Sequence, residues 1–443
     1  MKIQLSDHFT YQRLLHFCLP SIVMMIFTSI YGVVDGLFVS NFVGKIPFAA
    51  INLVMPFIMI LGGFGFMIGT GGSALIAKTL GEGNHKLASR YFSMLIIMTV
   101  ILGFFLTTIG IVFARRVSIL LGATDVMLDD CVIYLRTVLL FISPFMLQNV
   151  FQSFLVTAQK PHAGLIVTII AGLTNMSLDA LFIVVFRWGV AGAALATGIS
   201  QCIGGLLPLI LFLGKNDSLL HLVPTHLEWR PFFLSCTNGM SELMGNISSS
   251  IVSMLYNFQL LNYAGENGIA AYGVLMYVQF IFIAVFFGYT IGVGPVIGYH
   301  YGAGNHAELK NLLRKSLKLN IITGISMTIL ANLFAGALSR IFVGYDPELY
   351  AMTKSAFHIF ALSFLVCGIN IFASAFFTAL NNGLVSAVIS FLRTLVFQVG
   401  SVLILPAFLG LTGIWLSNTF ADLMAMLISI IFLAAMRKRY HYA

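Results

Sequence analysis

The chain alternates between long apolar stretches and short polar connectors, and the stretches set its architecture. A bilayer core takes about 20 apolar residues as helix. Twelve runs of that kind lie between breaks of charge, Gly, Pro or Asn: 15–43, 48–77, 92–113, 131–157, 163–186 and 190–213, then 236–263, 269–300, 317–338, 357–380, 385–409 and 411–436. They are long and lack the period-two alternation of barrel strands. The pattern predicts an all-α polytopic membrane protein with twelve transmembrane helices. Lys and Arg collect on cytoplasmic connectors. With the N-terminus inside, fifteen of them fall on inner segments, Lys2, Lys86, Lys215, Lys310 and Arg437 among them, and seven on outer ones. Both ends are therefore expected in the cytoplasm. The first stretch follows Asp7 and two bases and has no small-residue cleavage site, so it reads as a span and not as a removable signal.

The second half repeats the first at an offset of 221 residues. Gly81-Glu82-Gly83-Asn84-His85 falls on Gly302-Ala303-Gly304-Asn305-His306, Ala49-Ala50 on Ala270-Ala271, and Thr157-Ala158 on Thr378-Ala379. Gly189 and Gly192 fall on Gly410 and Gly413. Six spans return the chain to its starting side, so the halves share one orientation. The expected architecture is two six-helix bundles related by a pseudo-twofold axis along the membrane normal, with a binding cavity between them. Residues 1–213 would form the first lobe, 214–231 a cytoplasmic linker (Gly214, Lys215, Asn216, Asp217, then Glu228 and Arg230), and 232–443 the second lobe. That duplication points to a rocking transporter. A channel usually gains its symmetry from oligomerisation, and the protein is expected to act as a monomer.

Composition removes the other classes. Hydrophobic residues make up 59% and charged residues 9% of the chain, against roughly 25% charged in a soluble domain. A soluble enzyme, a disordered chain and a disulfide scaffold are excluded. The net charge of +8 is spread over connectors and shares no face, so nucleic acid is not a partner. Cys18, Cys131, Cys202, Cys236 and Cys367 are odd in number and scattered, as packing thiols are. The glycines from Gly62 to Gly72 lie within a span and suit close helix contact. No G-x-x-x-x-G-K-[ST] exists to bind a nucleotide. Neither the ten His nor Asp129-Asp130 forms a metal or prenyltransferase-like set. No enzyme and no cofactor are expected.

Charges inside the membrane are costly and mark functional candidates. They are Asp35 in span 1, Asp179 in span 5, Glu242 in span 7, Arg393 in span 11 and Asp422 in span 12. Asn175 and Asp179, four apart, share a helix face, and Thr197 follows in span 6. Two carboxylates, a carboxamide and a hydroxyl offer only oxygen, which suits a hard cation such as Na⁺. The same acids could carry a proton, because desolvation and a neighbouring carboxylate both favour the protonated form. A polar cluster that only fixes helix packing is the plainer alternative. Glu242 could attract a cationic substrate or take a proton, while Arg393 and Asp422 could neutralise each other. Tyr31, Tyr256, Tyr272 and Tyr277 could stack on planar cations. Pro20, fifteen residues before Asp35, can kink span 1. Arg187 lies at a span end and snorkels.

These residues resemble the multidrug and toxic compound extrusion transporters over nearly the whole chain. The resemblance is carried by Val34-Asp35-Gly36, by Gly81-Glu82-Gly83-Asn84, and by Asn175-Met176-Ser177-Leu178-Asp179 followed by Gly189-Val190-Ala191-Gly192-Ala193-Ala194-Leu195-Ala196-Thr197. Val-Asp-Gly-Leu-Phe-Val in span 1 is similar to the bacterial, Gram-positive-type exporters. The resemblance implies an inner-membrane antiporter that expels amphipathic, often cationic drugs against H⁺ or Na⁺ by alternating access. It implies a first-half cation site at Asp35, Asn175, Asp179 and Thr197, a bend at Pro20, and a coupling acid at Glu242. Members with a second-half Na⁺ site also carry an acid in span 10. Here 357–380 holds none and Asn370 is the nearest stand-in, which shifts the expected coupling to the first half. A lipid-linked-precursor flippase of the same superfamily is the alternative. Such proteins line their cavity with bases, whereas Arg393 is the one intramembrane base here.

Overall fold

Lipid offers no partner for a peptide group, so each apolar run must close its own hydrogen bonds, as a helix does. The computed structural model describes residues 3–214 and 217–442, in which every regular element is a helix and no strand is present. Lys2, Lys215 and Asn216, named above as connector residues, lie outside the described residues.

Spans 1 to 3 are α1 (Tyr11–Phe42), α2 (Lys45–Gly81) and α3 (His85–Leu120). Span 4 is bent, α4 (Asp125–Leu139) and α5 (Ile142–Thr157) meeting at 56° just before Pro144. Spans 5 and 6 are α6 (Pro161–Asp179), continued by a π-helical turn over Ala180–Val185, and α7 (Gly189–Leu213). A short α8 (Trp229–Asn238) leads into α9 (Met240–Gly302). The 63 residues of α9 would run about 95 Å if straight, three bilayer cores. They form two spans, broken at Gly265 with φ 63° and ψ −151°. Tyr256 and Tyr272 on either side of that break stack at 4.8 Å, which requires the chain to double back. The last four spans are α10 (His306–Val343), α11 (Pro347–Phe360) with α12 (Phe364–Ala379), α13 (Gly383–Phe391) with a π-helical turn (Leu392–Gln398) and α14 (Val399–Leu409), and α15 (Leu411–Ala435). A final turn, α16, covers Arg437–Tyr440. All twelve expected spans are present. Large apolar side chains such as Phe104, Leu333 and Phe408 face outward, 68%, 71% and 81% exposed, as a lipid-facing belt requires.

The repeat recurs in the backbone. Left-handed residues at Gly44, Gly83, Gln159 and Gly189 return at Gly265, Gly304, Asn381 and Gly410. They also explain the duplicated Gly-x-Gly-Asn-His. Gly83 and Gly304 end α2 and α9 in the left-handed conformation that glycine tolerates. Asn84 and Asn305 then cap the next helices, accepting from Leu87 N at 3.2 Å and Glu308 N at 3.1 Å. Those caps start α3 and α10 well before their apolar runs at 92 and 317, so both helices extend past the membrane into water.

The first glycine of each motif closes one end of the molecule. A Cβ on Gly81 would lie 2.0 Å from Tyr299 O, and one on Gly302 would lie 2.0 Å from Lys78 O. Further in, Gly71 and Gly239 press on backbone across the same divide. The halves thus meet backbone to backbone at the end that carries the described termini. Toward the other end Gly32, Gly36 and Gly273 have nothing within 4 Å of where a Cβ would stand. Two extended segments cross at the closed end. The arm before α1 lies on α10, where Glu308 accepts from Phe9 N at 2.9 Å, sits 2.6 Å from His8 Nδ1, and Lys315 donates to Phe9 O at 2.6 Å. The segment before α8 lies on α3, where Ser89 and Ser93 accept from His221 N and Val223 N at 3.3 and 2.9 Å. Each strap precedes the first span of one half and is bound to the third span of the other.

Candidate functional site

Inside the first half, small residues let polar ones meet. Gly172 of α6 lies against α1, where an added Cβ would sit 2.5 Å from Phe27 and 3.0 Å from Tyr31. Gly198 of α7 receives Phe141 at the bend of span 4, 2.1 Å from where a Cβ would stand. Asp179 ends the α-helical part of α6, and the π-helical turn begins at the next residue. π-turns recur at functional positions in helices.

The structure brings Asp35, Asn175, Asp179 and Thr197 together. Asp35 faces both Asp179 and Asn175. Asn175 and Asp179 are 2% and 0% exposed, while Asp35 and Thr197 are half-buried. Tyr134 of α4, fully buried, points its hydroxyl end at Asp35, Asp179 and Thr197. Tyr31, one turn before Asp35, lies next to Gln148 of α5. Sequence reasoning missed Tyr134 and Gln148. Both sit in apolar runs, and only the bend of span 4 turns them inward.

Five oxygens of this cluster are buried without a hydrogen-bond partner: Asp35 Oδ1, both carboxylate oxygens of Asp179, Asn175 Oδ1 and Thr197 Oγ1. Buried polar groups normally find partners, and an unpaired carboxylate is far more costly than an unpaired amide. Oxygen acceptors that converge on one another repel unless a positive charge stands between them. A proton shared by the carboxylates, or a Na⁺ held by all four side chains, would relieve that repulsion. No group of three or more His, Cys, Asp or Glu is gathered as a metal cluster among the described residues.

The other candidates lie elsewhere. Glu242 is half-buried in the first turn of α9, one turn beyond the contact of Gly71 with Gly239. Its carboxylate makes no hydrogen bond among the described residues. Tyr256 and Tyr272 are buried and stack on each other; neither face between them is free for a ligand. Tyr277 is 40% exposed and stacks on Phe342 at 6.2 Å. Pro20 lies inside an uninterrupted α1, where the neighbouring turn packs on the other half: a Cβ on Gly288 would meet Ile22 Cα at 2.5 Å. Arg393 Nε donates to Asp422 Oδ1 at 2.6 Å, so the intramembrane base is paired. All five cysteines are free thiols.

Comparison with known proteins agrees over the full length. A family model, MatE, matches residues 20–181 and again 243–404. A multidrug export protein MepA of Staphylococcus haemolyticus is 25% identical over 436 residues, covering 97% of this chain and 94% of the relative. A crystal structure of a MATE protein in complex with MaL6 superimposes with a TM-score of 0.93 at 21% identity, covering 98% of both chains. One described as the outward-facing conformation of a multidrug resistance MATE family transporter gives 0.92 at the same identity and coverage.

Proposed function

The chain belongs to the MatE family of multidrug and toxic compound extrusion transporters, and from that premise we propose that it is a secondary antiporter exporting amphipathic, often cationic compounds against H⁺ or Na⁺. The observation that carries this reading is the set of five unpartnered, buried oxygens on Asp35, Asn175, Asp179 and Thr197. A charge-starved site in the interior of one half gives an ion gradient something to act on. A cation that binds there can drive transport only by favouring one arrangement of the halves over the other. Ion binding neutralises the Asp35–Asp179 pair, lets α1 and α6 repack around it, and lowers affinity for the exported compound. Pro20 supports a bend of α1, since its missing N–H leaves one helical hydrogen bond unmade. Glu242, with Tyr31, supplies a negative and an aromatic surface for a cationic substrate.

In this reading the protein works as a monomer in the inner membrane of a bacterium, with both termini cytoplasmic in accord with the Lys and Arg bias. The lobes are 1–213 and 232–443, joined by 214–231, and the double family match supports that division. The end closed by Gly81 and Gly302 then faces the cytoplasm.

The test uses purified protein in liposomes and export of a fluorescent lipophilic cation under an imposed pH gradient, then a Na⁺ gradient. Wild type is expected to respond to one of them and Asp35→Asn to neither, at equal incorporation. Full gradient-driven export by Asp35→Asn would refute the assignment.

A further inference from the structure

The second half keeps the fold of the first but not its carboxylates. At the offset set by Gly44/Gly265 and Gly189/Gly410, Asp35 corresponds to Tyr256 and Thr197 to Asn418. At the offset between the two family matches, Asn175 corresponds to Gln398 and Asp179 to Val402. The polar members of this second set are neighbours in space too. Gln398 Nε2 donates to Asn418 Oδ1 at 2.8 Å, and Tyr256 lies against Gln398 and Asp422. The set itself carries no charge.

The negative charge of this half sits one helical turn further along α15, at Asp422, 2% exposed. Arg393, from the π-helical turn of span 11, meets it at 2.6 Å. Asn370 of α12 donates to the Asp422 carbonyl at 2.8 Å and accepts from Ser429 at 3.2 Å. Asp422 Oδ2 and the Tyr256 hydroxyl remain buried without a partner. At the same two offsets Asp422 and Arg393 fall on Gln201 and Ile170 of the first half, neither charged. Both halves therefore bury a carboxylate among equivalent helices. One leaves it open to an ion from solution, and the other meets it with a guanidinium on the adjacent span.

We propose that Arg393 is a built-in cation: it fills in the second half the place that an exchangeable cation takes in the first, and Asp422, with Asn370, Gln398, Asn418 and Tyr256 around it, is a monovalent-cation site masked by that side chain. A guanidinium does not lose its proton in a protein, and a tethered ligand binds intramolecularly, so its presence does not depend on the concentration of a free ion. The second half is thereby insulated from the gradient, and one half alone senses it. This inference rests on the cation-coupled reading above.

Removing the guanidinium should unmask the site. In proteoliposomes the dependence of drug export on coupling-ion concentration is compared for wild type, Arg393→Met, Arg393→Lys and Arg393→Met/Asp422→Asn. The readout is the steepness of that dependence, normalised to each variant's own maximum. Arg393→Met is expected to steepen it toward two-ion behaviour. Arg393→Lys and the double variant should keep the single-ion slope, one by restoring a tethered charge and the other by removing the carboxylate. An unchanged slope in Arg393→Met, or gradient-independent export by the folded double variant, overturns the proposal. Should wild type respond to neither gradient, the coupled reading fails by itself. An infrared difference spectrum then decides about Arg393 without transport. The protonated-carboxyl band assigned by loss in Asp422→Asn, or ²²Na⁺ bound to Asp422, must appear in Arg393→Met and be absent from wild type. A protonated Asp422 in wild type would mean that no ion pair exists, and would overturn the proposal; so would neither signal in Arg393→Met. If Arg393→Met does not fold, the slope of the double variant and the wild-type band still decide.

Discussion

Placing a methyl group on Gly81 or Gly302 should push the molecule out of the state described here. Each added Cβ would stand 2.0 Å from a backbone carbonyl of the other half, Tyr299 O or Lys78 O, where ordinary contact begins near 3.4 Å. Neither atom is at the end of a flexible side chain, so α2 and α9 must part by about 1.4 Å at the closed end. Overpacking of this kind costs about 1–3 kcal/mol, and the cost applies only while the two helices touch. An arrangement with this end open escapes it, so Gly81→Ala should shift the ratio of closed to open by about 5–150-fold. Gly302→Ala should act alike. Because both residues press on one contact, the double variant should fall short of the sum. Spin labels on the loops after α2 and α9 in proteoliposomes would report the distance across the closed end by double electron–electron resonance. A longer-distance population is expected in each variant and not in Gly83→Ala, where nothing lies within 4 Å and only a positive φ is strained. Unaltered distances in Gly81→Ala and Gly302→Ala would refute the idea that this glycine pair holds the closed state.

Two further expectations concern other parts of the molecule. Tyr134→Phe removes the buried hydroxyl beside Asp35, Asp179 and Thr197; one neutral polar contact is worth about 1 kcal/mol, so the coupling-ion concentration for half-maximal export should rise about fivefold, with folding unaltered by thermal melting. Glu308→Ala leaves Phe9 N and His8 without their acceptor, and should raise amide hydrogen exchange of the N-terminal arm by about tenfold or more, with no such change in the α3-bound segment; equal protection in variant and wild type would count against the strap.

The spans were legible because hydropathy in lipid is close to a direct code for helices, and the duplicated motif was legible because its glycines and asparagines have fixed backbone duties. Asp35, Asn175, Asp179 and Thr197 could be picked out as rare polar residues in apolar runs. Their meeting in space could not: it depends on Gly172 and Gly198, ordinary glycines among 41. Tyr134 and Gln148 carried no signal, because their direction follows from the 56° bend of span 4. Aromatic side chains were the least readable. Tyr256 and Tyr272 had the chemistry to receive a flat ligand and instead satisfy each other across the Gly265 turn. The pairing of Arg393 with Asp422 was open in the sequence as mutual neutralisation, and the distance of 2.6 Å bears it out.

The crossed straps impose an order on biosynthesis. The partners of His8 lie 300 residues downstream at Glu308, so the first residues made are among the last to find their long-range hydrogen bonds. At about 5–20 residues per second, the ribosome needs roughly 15–60 s to reach Glu308, and the N-terminal arm waits through the insertion of eight spans. The segment before α8 waits for nothing, because α3 is already in place when His221 and Val223 emerge. The nascent chain therefore ties its second half to its first before its first is tied to its second, and an arm kept occupied by a bulky N-terminal fusion should leave a fully inserted protein whose closed end is held from one side only.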